Sequence, residues 1–322
     1  MKKICSLAFL FVVFISTRVD SWGFYGHSRI NRIAVFTLPP QMLSFYKDNI
    51  EFLTTHAVDP DKRRYAIKEE APRHYIDLDR YGKYPYADVP HHWNDAVAHF
   101  GEDTLNAHGI VPWYVNTMFY RLVDAFKEKN KFKILHLSAD IGHYIADAHV
   151  PLHCTRNYNG QLTGQTGIHA FWESRLPELY GENYDYFVGK AELIDNTSDF
   201  IWKVVLTSAS EVDSVLSIEK KLSQEFPTDK KYSYEQRGDI TVRVYSEEYS
   251  KEYSNRLQGM VERKMRAAIL AVGSFWYTAW VTAGKPDLST LKDVQLSADD
   301  LKELDQLDEN WKAGKIIGRE EE

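Results

Sequence analysis

Ala267 to Gly284 is a run of eighteen residues without a charge, and no other stretch constrains the fold as strongly. Such a run either crosses a bilayer or is a helix buried in a protein core. Gly273, Ser274, Thr278 and Thr282 dilute its hydrophobicity and Lys285 follows at once, so the core reading is preferred and no transmembrane anchor is expected. A chain that buries such a helix needs many apolar partners. The composition supplies them, with 44% hydrophobic and 14% aromatic residues, which also excludes a disordered protein. The remaining sequence reads mostly at helical period, with helices expected over 26 to 37, 112 to 128, 131 to 150, 197 to 225 and 251 to 283. Gly284 and Pro286 stop the last of them. The stretches 77 to 111 and 155 to 168 read as loops, and no strand-turn-strand series at regular spacing appears. The fold class is therefore all-α, a single multi-helix domain.

The N-terminus reads as an export signal. Lys2 and Lys3 precede the apolar run Ile4 to Ser16, and Val19 and Ser21 stand at −3 and −1 of a cleavage point. The expected organisation is a signal peptide over 1–21, a main domain over 22–285, and a polar tail over 286–322. In that tail Ser297-Ala298-Asp299-Asp300 forms a capping box for a short helix, and little bearing on chemistry is expected of it. Cleavage before Trp22 removes Cys5, so Cys154 is left alone and no intramolecular disulfide is possible. Stability must come from core packing. Losing Lys2, Lys3, Arg18 and Asp20 leaves 36 basic and 45 acidic residues. A chain with that balance gives no electrostatic help with polyanions or anionic membranes, and it holds no basic run that tracks a phosphate backbone.

Chemistry concentrates in Gly142-His143-Tyr144-Ile145-Ala146-Asp147-Ala148-His149-Val150-Pro151-Leu152-His153. Residues four apart share a helix face, so His143 and Asp147 can hold one cation from adjacent turns. Pro151 ends the helix and lets His153 turn back. His169-Ala170-Phe171-Trp172-Glu173 repeats the imidazole–carboxylate spacing. These five ligands are too many for one tetrahedral zinc and too few to close several sites, so others are expected upstream. The candidates are His27, either Asp59 or Asp61, and His74. His136 and Asp140 share the spacing, but nothing else selects them, and they read as structural. His149 lies off the His143 face. It and His91, His92, His99 and His108 read as ordinary surface or core histidines.

In its order, Trp22, His27, an Asp, His74, His143-x3-Asp147-x5-His153 and His169-x3-Glu173 resembles the superfamily of zinc-dependent phospholipase C and the single-strand-specific zinc nucleases of the S-one and P-one type. The match runs from Trp22 to about Gly284, and nine positions agree in order. The resemblance implies an all-α domain holding three Zn2+ ions. One would take Asp61, His74, His143 and Asp147; a second His153, His169 and Glu173; a third the Trp22 amine and carbonyl, His27 and shared Asp147. Asp61 is preferred over Asp59 because Arg64 follows it, similar to the basic residue after the nuclease ligand, while Asp59 reads as a turn residue before Pro60.

The same resemblance implies phosphodiester hydrolysis by a zinc-bound hydroxide, with Asp61 and Asp147 at the close metal pair and Arg64 as phosphate contact. Tyr75 and Asp77 match an aromatic and an acid that stack on and hydrogen-bond a base. The substrate is then single-stranded nucleic acid or, in the alternative, phospholipid, and no obligate protein partner is inferred. Glu173 looks like phospholipase C, whereas His149, two residues after Asp147, and Trp172 look like the nucleases. A non-catalytic secreted zinc-binding protein is the third reading. It is disfavoured because a structural role is met by a closed four-ligand site.

Overall fold

The computed structural model describes residues 23–237 and 240–314. The expected signal segment and Trp22 lie outside the described residues. The fold is all-α apart from one two-stranded hairpin. In chain order the helices are α1 (Gly23–Ala34), α2 (Pro40–Asp48), α3 (Ile50–Thr55), α4 (Asp59–Arg63), α5 (Trp93–Phe100), α6 (Glu102–His108), α7 (Val111–Glu128) and α8 (Lys131–Ala148). A short α9 (Ile168–Ala170) runs through a π turn, Phe171–Arg175, into α10 (Leu176–Tyr180). There follow α11 (Thr197–Ser210), α12 (Val212–Glu225), the hairpin β1 (Tyr232–Arg237) and β2 (Ile240–Tyr245), α13 (Glu247–Arg256), α14 (Met260–Thr282) and α15 (Ala298–Ala313).

α8 is the central helix. Every residue from Ser138 to Ala148 is buried, as expected of a helix with neighbours on all sides. α1, α3, α7, α11 and α14 pack around it. Glycine permits one of these approaches. A Cβ on Gly142 would lie 2.0 Å from Asn31 Oδ1 on α1, and Asn31 Nδ2 donates to Ala139 O at 3.0 Å. Glycine thus lets α1 lie against α8 and brings His27 onto His143. The uncharged run forms the C-terminal part of α14, where Trp276 is fully buried and donates to Ser138 O at 3.0 Å. No helix of the described residues is long and apolar enough to cross a membrane.

Several expected boundaries shift. Helix 197 to 225 breaks at Glu211, whose carboxylate lies 2.5 Å from the ammonium of the buried Lys264. Helix 251 to 283 breaks where Gln258 and Gly259 adopt φ of 51° and 76°, and its first part begins earlier, capped by Ser246. The stretch 77 to 111 is not all loop, because Gly101 and Gly109 at positive φ bound α5 and α6 instead of preventing them. The hairpin is missed by the helical reading although Gly238-Asp239, standing between the runs Tyr232 to Arg237 and Ile240 to Tyr245, is a two-residue turn signal; Tyr232 pairs with Tyr245 in its register. In the tail the capping box at Ser297 and Asp300 is present, and α15 is docked on α4.

Candidate metal centre

Eight of the residues singled out in the sequence lie within the described region, and the fold brings them together. His143 and Asp147 share a face of α8, with Nε2 and Oδ2 3.2 Å apart. α1 lays the His27 ring on the His143 ring with centroids 3.8 Å apart, and His27 Nε2 is 3.5 Å from Asp147 Oδ1. Behind the Pro151 turn the chain doubles back against the segment carrying His74: Ile76 N donates to His153 O at 2.9 Å and His153 Nδ1 to His74 O at 2.7 Å. That clasp sets His74 Nδ1 2.9 Å from Asp147 Oδ2 and 3.1 Å from His143 Nε2. α4 adds Asp61, whose Oδ1 lies 3.6 Å from His143 Nε2 and 3.7 Å from His74 Nδ1. Asp59 points elsewhere, to His56 Nδ1 at 2.6 Å and Lys62 Nζ at 3.1 Å.

A second group adjoins the first. His153 Nε2 is 3.2 Å from His169 Nε2 and 3.3 Å from Glu173 Oε2. His169 Nε2 is 3.1 Å from Glu173 Oε1 across the π turn, a helical irregularity frequent at functional sites. Asp147 Oδ1 links the two groups, lying 3.8 Å from His153 Nδ1. Among the described residues three sets could hold a metal ion: His27, Asp61 and His143; His74, His143 and Asp147; and His153, His169 and Glu173.

The donor chemistry fits such a metal. His143 Nδ1 donates to Ala57 O at 2.8 Å, His153 Nδ1 to His74 O, and His169 Nδ1 to Tyr158 O at 3.2 Å. Each hydrogen bond fixes the tautomer and leaves the Nε2 lone pair facing the cluster. In the second group two such lone pairs point at each other, which is repulsive unless a cation lies between them. Tetrahedral zinc with bonds of 2.0–2.1 Å sets its ligand atoms roughly 3.3 Å apart, close to the 3.1–3.3 Å separations here. Asp147 Oδ1 is fully buried and has no hydrogen bond, an expensive position unless an ion satisfies it.

Electrostatics follow from burial and crowding. Burial alone would raise the Asp147 carboxyl, but the imidazoles of His143 and His153 reverse this and hold it well below the usual range. Burial, with Asp147 adding to it, raises Asp61. Burial, helped by the neighbouring His143, pushes His27 well below its ordinary value. His74 goes the other way: against burial, Asp147 and Glu70 lift it to about 9.

Glu70 is the residue missed by sequence reasoning. Fully buried, it receives Arg73 Nη1 at 2.6 Å, Arg63 Nε at 3.3 Å and the Tyr144 hydroxyl, and it lies 3.6 Å from His74 Nε2. Glu70-x3-His74 has the same spacing as His143 with Asp147 and His169 with Glu173. Arg63 also forks onto Asp140 at 2.8 and 3.2 Å, which agrees with a structural reading of Asp140. His149 is a core histidine bonded to Ile145 O at 2.7 Å. Arg64 is buried beside Asp61, and its charge opposes, without reversing, the rise that burial gives that carboxyl. Tyr75 and Asp77 are buried too; their backbone is held by Val111 N and His108 O. Cys154 is buried against Val150 O and Val205 O.

No family model matches the chain, nor does any curated protein. Among solved structures the chain is similar to Clostridium perfringens alpha-toxin from the avian strain SWCP, with 11% identity and a TM-score of 0.47. The match covers 84% of this chain and 65% of the toxin chain, so the chain spans less than two thirds of the toxin's length.

Proposed function

We propose that this chain is an exported zinc-dependent phosphodiester hydrolase of nuclease type, acting on single-stranded nucleic acid or nucleotides. The reading rests chiefly on one observation: buried imidazole lone pairs and an unsatisfied carboxylate oxygen converge at ligand–ligand spacing. Asp61, His74, His143 and Asp147 would hold one zinc, His153, His169 and Glu173 another, and His27 with Asp147 and the Trp22 terminus a third. Zinc in such a setting supplies a nucleophile of lowered pKa and a clamp for phosphoryl oxygens. Asp147 presents its two oxygens to different imidazoles and is the proposed bridge. Glu70, 3.6 Å from His74 Nε2, would draw that nitrogen away from the cluster and leave Nδ1 facing it. Arg64 is the proposed phosphate contact, and Tyr75 with Asp77 the proposed base recognition. Processing before Trp22 would free the amine that the third ion requires.

Glu173 favours a second reading, phospholipase C action on lipid head groups. One experiment separates the two. Metal analysis of the mature protein is combined with hydrolysis assays on single-stranded DNA, RNA and phosphatidylcholine, with and without a chelator. Release of nucleotides that stops on chelation is expected. Turnover of lipid micelles with no nucleotide release would favour the second reading, and bound zinc without turnover of any of the three substrates would leave a non-catalytic zinc protein.

A further inference from the structure

α4 is five residues long, too short to hold its own backbone in place, so the position of Asp61 depends on what packs against it. Towards the core lies α8. On the other side lies α15, from the tail of the chain. Asp308 Oδ1 on α15 is 2.8 Å from the ammonium of Lys62, the residue after Asp61 and 246 positions away. The same ammonium is 3.1 Å from Asp59 Oδ1 and 5.5 Å from the centre of the Trp311 ring. Lys62 is buried, with 7% of its surface exposed, so its charge is placed by these contacts and not by water. Trp311 also packs on Phe24, with ring centroids 5.5 Å apart. Phe24 is in the first turn of α1, just ahead of His27. Past the helix end, a Cβ on Gly314 would meet Tyr65 O at 2.9 Å, so the chain hugs the residues after α4 as well.

We infer that α15 is a clasp that positions Asp61 and His27 for the metal cluster, with Lys62, Asp308 and Trp311 as positioning residues. The inference rests on the metal-binding reading above. It gives the tail a part in the chemistry, because one aromatic ring joins the two segments that bring Asp61 and His27 to α8. The His153, His169 and Glu173 group is carried by elements other than α1 and α4, although α1 packs on the π turn that bears Glu173, so the Asp61 group should respond to the clasp far more than the second.

Zinc retention against a chromogenic chelator, measured on the full chain, tests this. A His169→Ala background reports the Asp61 group, and an Asp61→Asn background reports the His153 group. Adding Trp311→Ala should weaken retention about tenfold in the first background, the scale of lost outer contacts to metal ligands, and far less in the second. Trp311→Phe should restore most of the loss. If Trp311→Ala does not fold, Asp308→Asn, at a half-exposed position, should weaken the first group several-fold. Equal loss in both backgrounds would make α15 a general stabiliser and overturn the inference, as would no loss in either. Zinc held equally with and without the clasp contacts sinks the inference alone, whereas a wild-type chain that holds no zinc sinks the metal reading and the clasp with it.

Discussion

Asp147→Asn keeps the shape of the side chain and removes one charge from the middle of four imidazoles. In the structure Oδ2 serves His74 and His143 at 2.9 and 3.2 Å, and Oδ1 faces His27 and His153 at 3.5 and 3.8 Å. Without metal, that carboxylate and Glu70 lift His74 from 6.5 to about 9, a preference worth roughly 3 kcal/mol. The amide forfeits the Asp147 share, so the metal-free variant should be less stable at neutral pH by up to roughly 3 kcal/mol. The loss with metal is larger. Removing groups that merely support ligands costs about 10–100-fold in metal affinity, and a bridging ligand should cost more than about 100-fold. Chelator competition, with turnover of a chromogenic phosphodiester in the same samples, reads both quantities, and circular dichroism checks that the variant is folded. A folded Asp147→Asn protein with wild-type zinc content and turnover would refute the assignment.

Other residues carry separate predictions. Gly142→Ala forces a Cβ into Asn31 Oδ1, so either the Asn31 side chain leaves its bond to Ala139 O or α1 shifts from α8; a stability loss of about 1–3 kcal/mol is expected, and an unchanged melting curve would contradict the close-packing argument. Glu70→Gln removes the carboxylate between Arg63, Arg73 and His74 and should lower zinc affinity about 10–100-fold; equal affinity would show that His74 needs no such support. In the metal-free protein, His74 is raised above its ordinary value, so its contribution is fully present below pH 6.5 and lost as pH rises towards 9. Asp147 is depressed, so its contribution is present above pH 3.8 and lost as pH falls towards its lower folded value. Chelated protein should therefore unfold at lower urea at pH 9 than at pH 6, while zinc affinity rises over the same range because the metal displaces the His74 proton. Equal midpoints at the two pH values would count against the His74–Asp147 pair.

Which parts of the centre can be read in the chain depends on how local their geometry is. His143 and Asp147, like His169 and Glu173, advertise themselves because one helical turn fixes their relation. Helix length around α7 and α8 is legible for the same reason, and so is the C-terminal end of α14. The contest between Asp59 and Asp61 is not, because two residues in one short turn differ only in which way tertiary packing rotates them. Glu70 escapes notice because its spacing to His74 crosses a 3-10 turn at Ala71–Arg73 instead of a regular helix. The breaks at Glu211 and at Gln258-Gly259 are local, yet periodicity runs on either side of them and conceals the kink. α15 announces itself through its capping box, but its partner is 246 residues away, and nothing in either segment names the other.

The central claim is that these imidazoles and carboxylates surround metal, and diffraction at the zinc edge tests it most directly. Crystals of the processed chain should show anomalous peaks among His27, Asp61, His74, His143 and Asp147 and a further peak at His153, His169 and Glu173. An anomalous map empty at both places, from protein purified and crystallised with zinc present, would contradict the account.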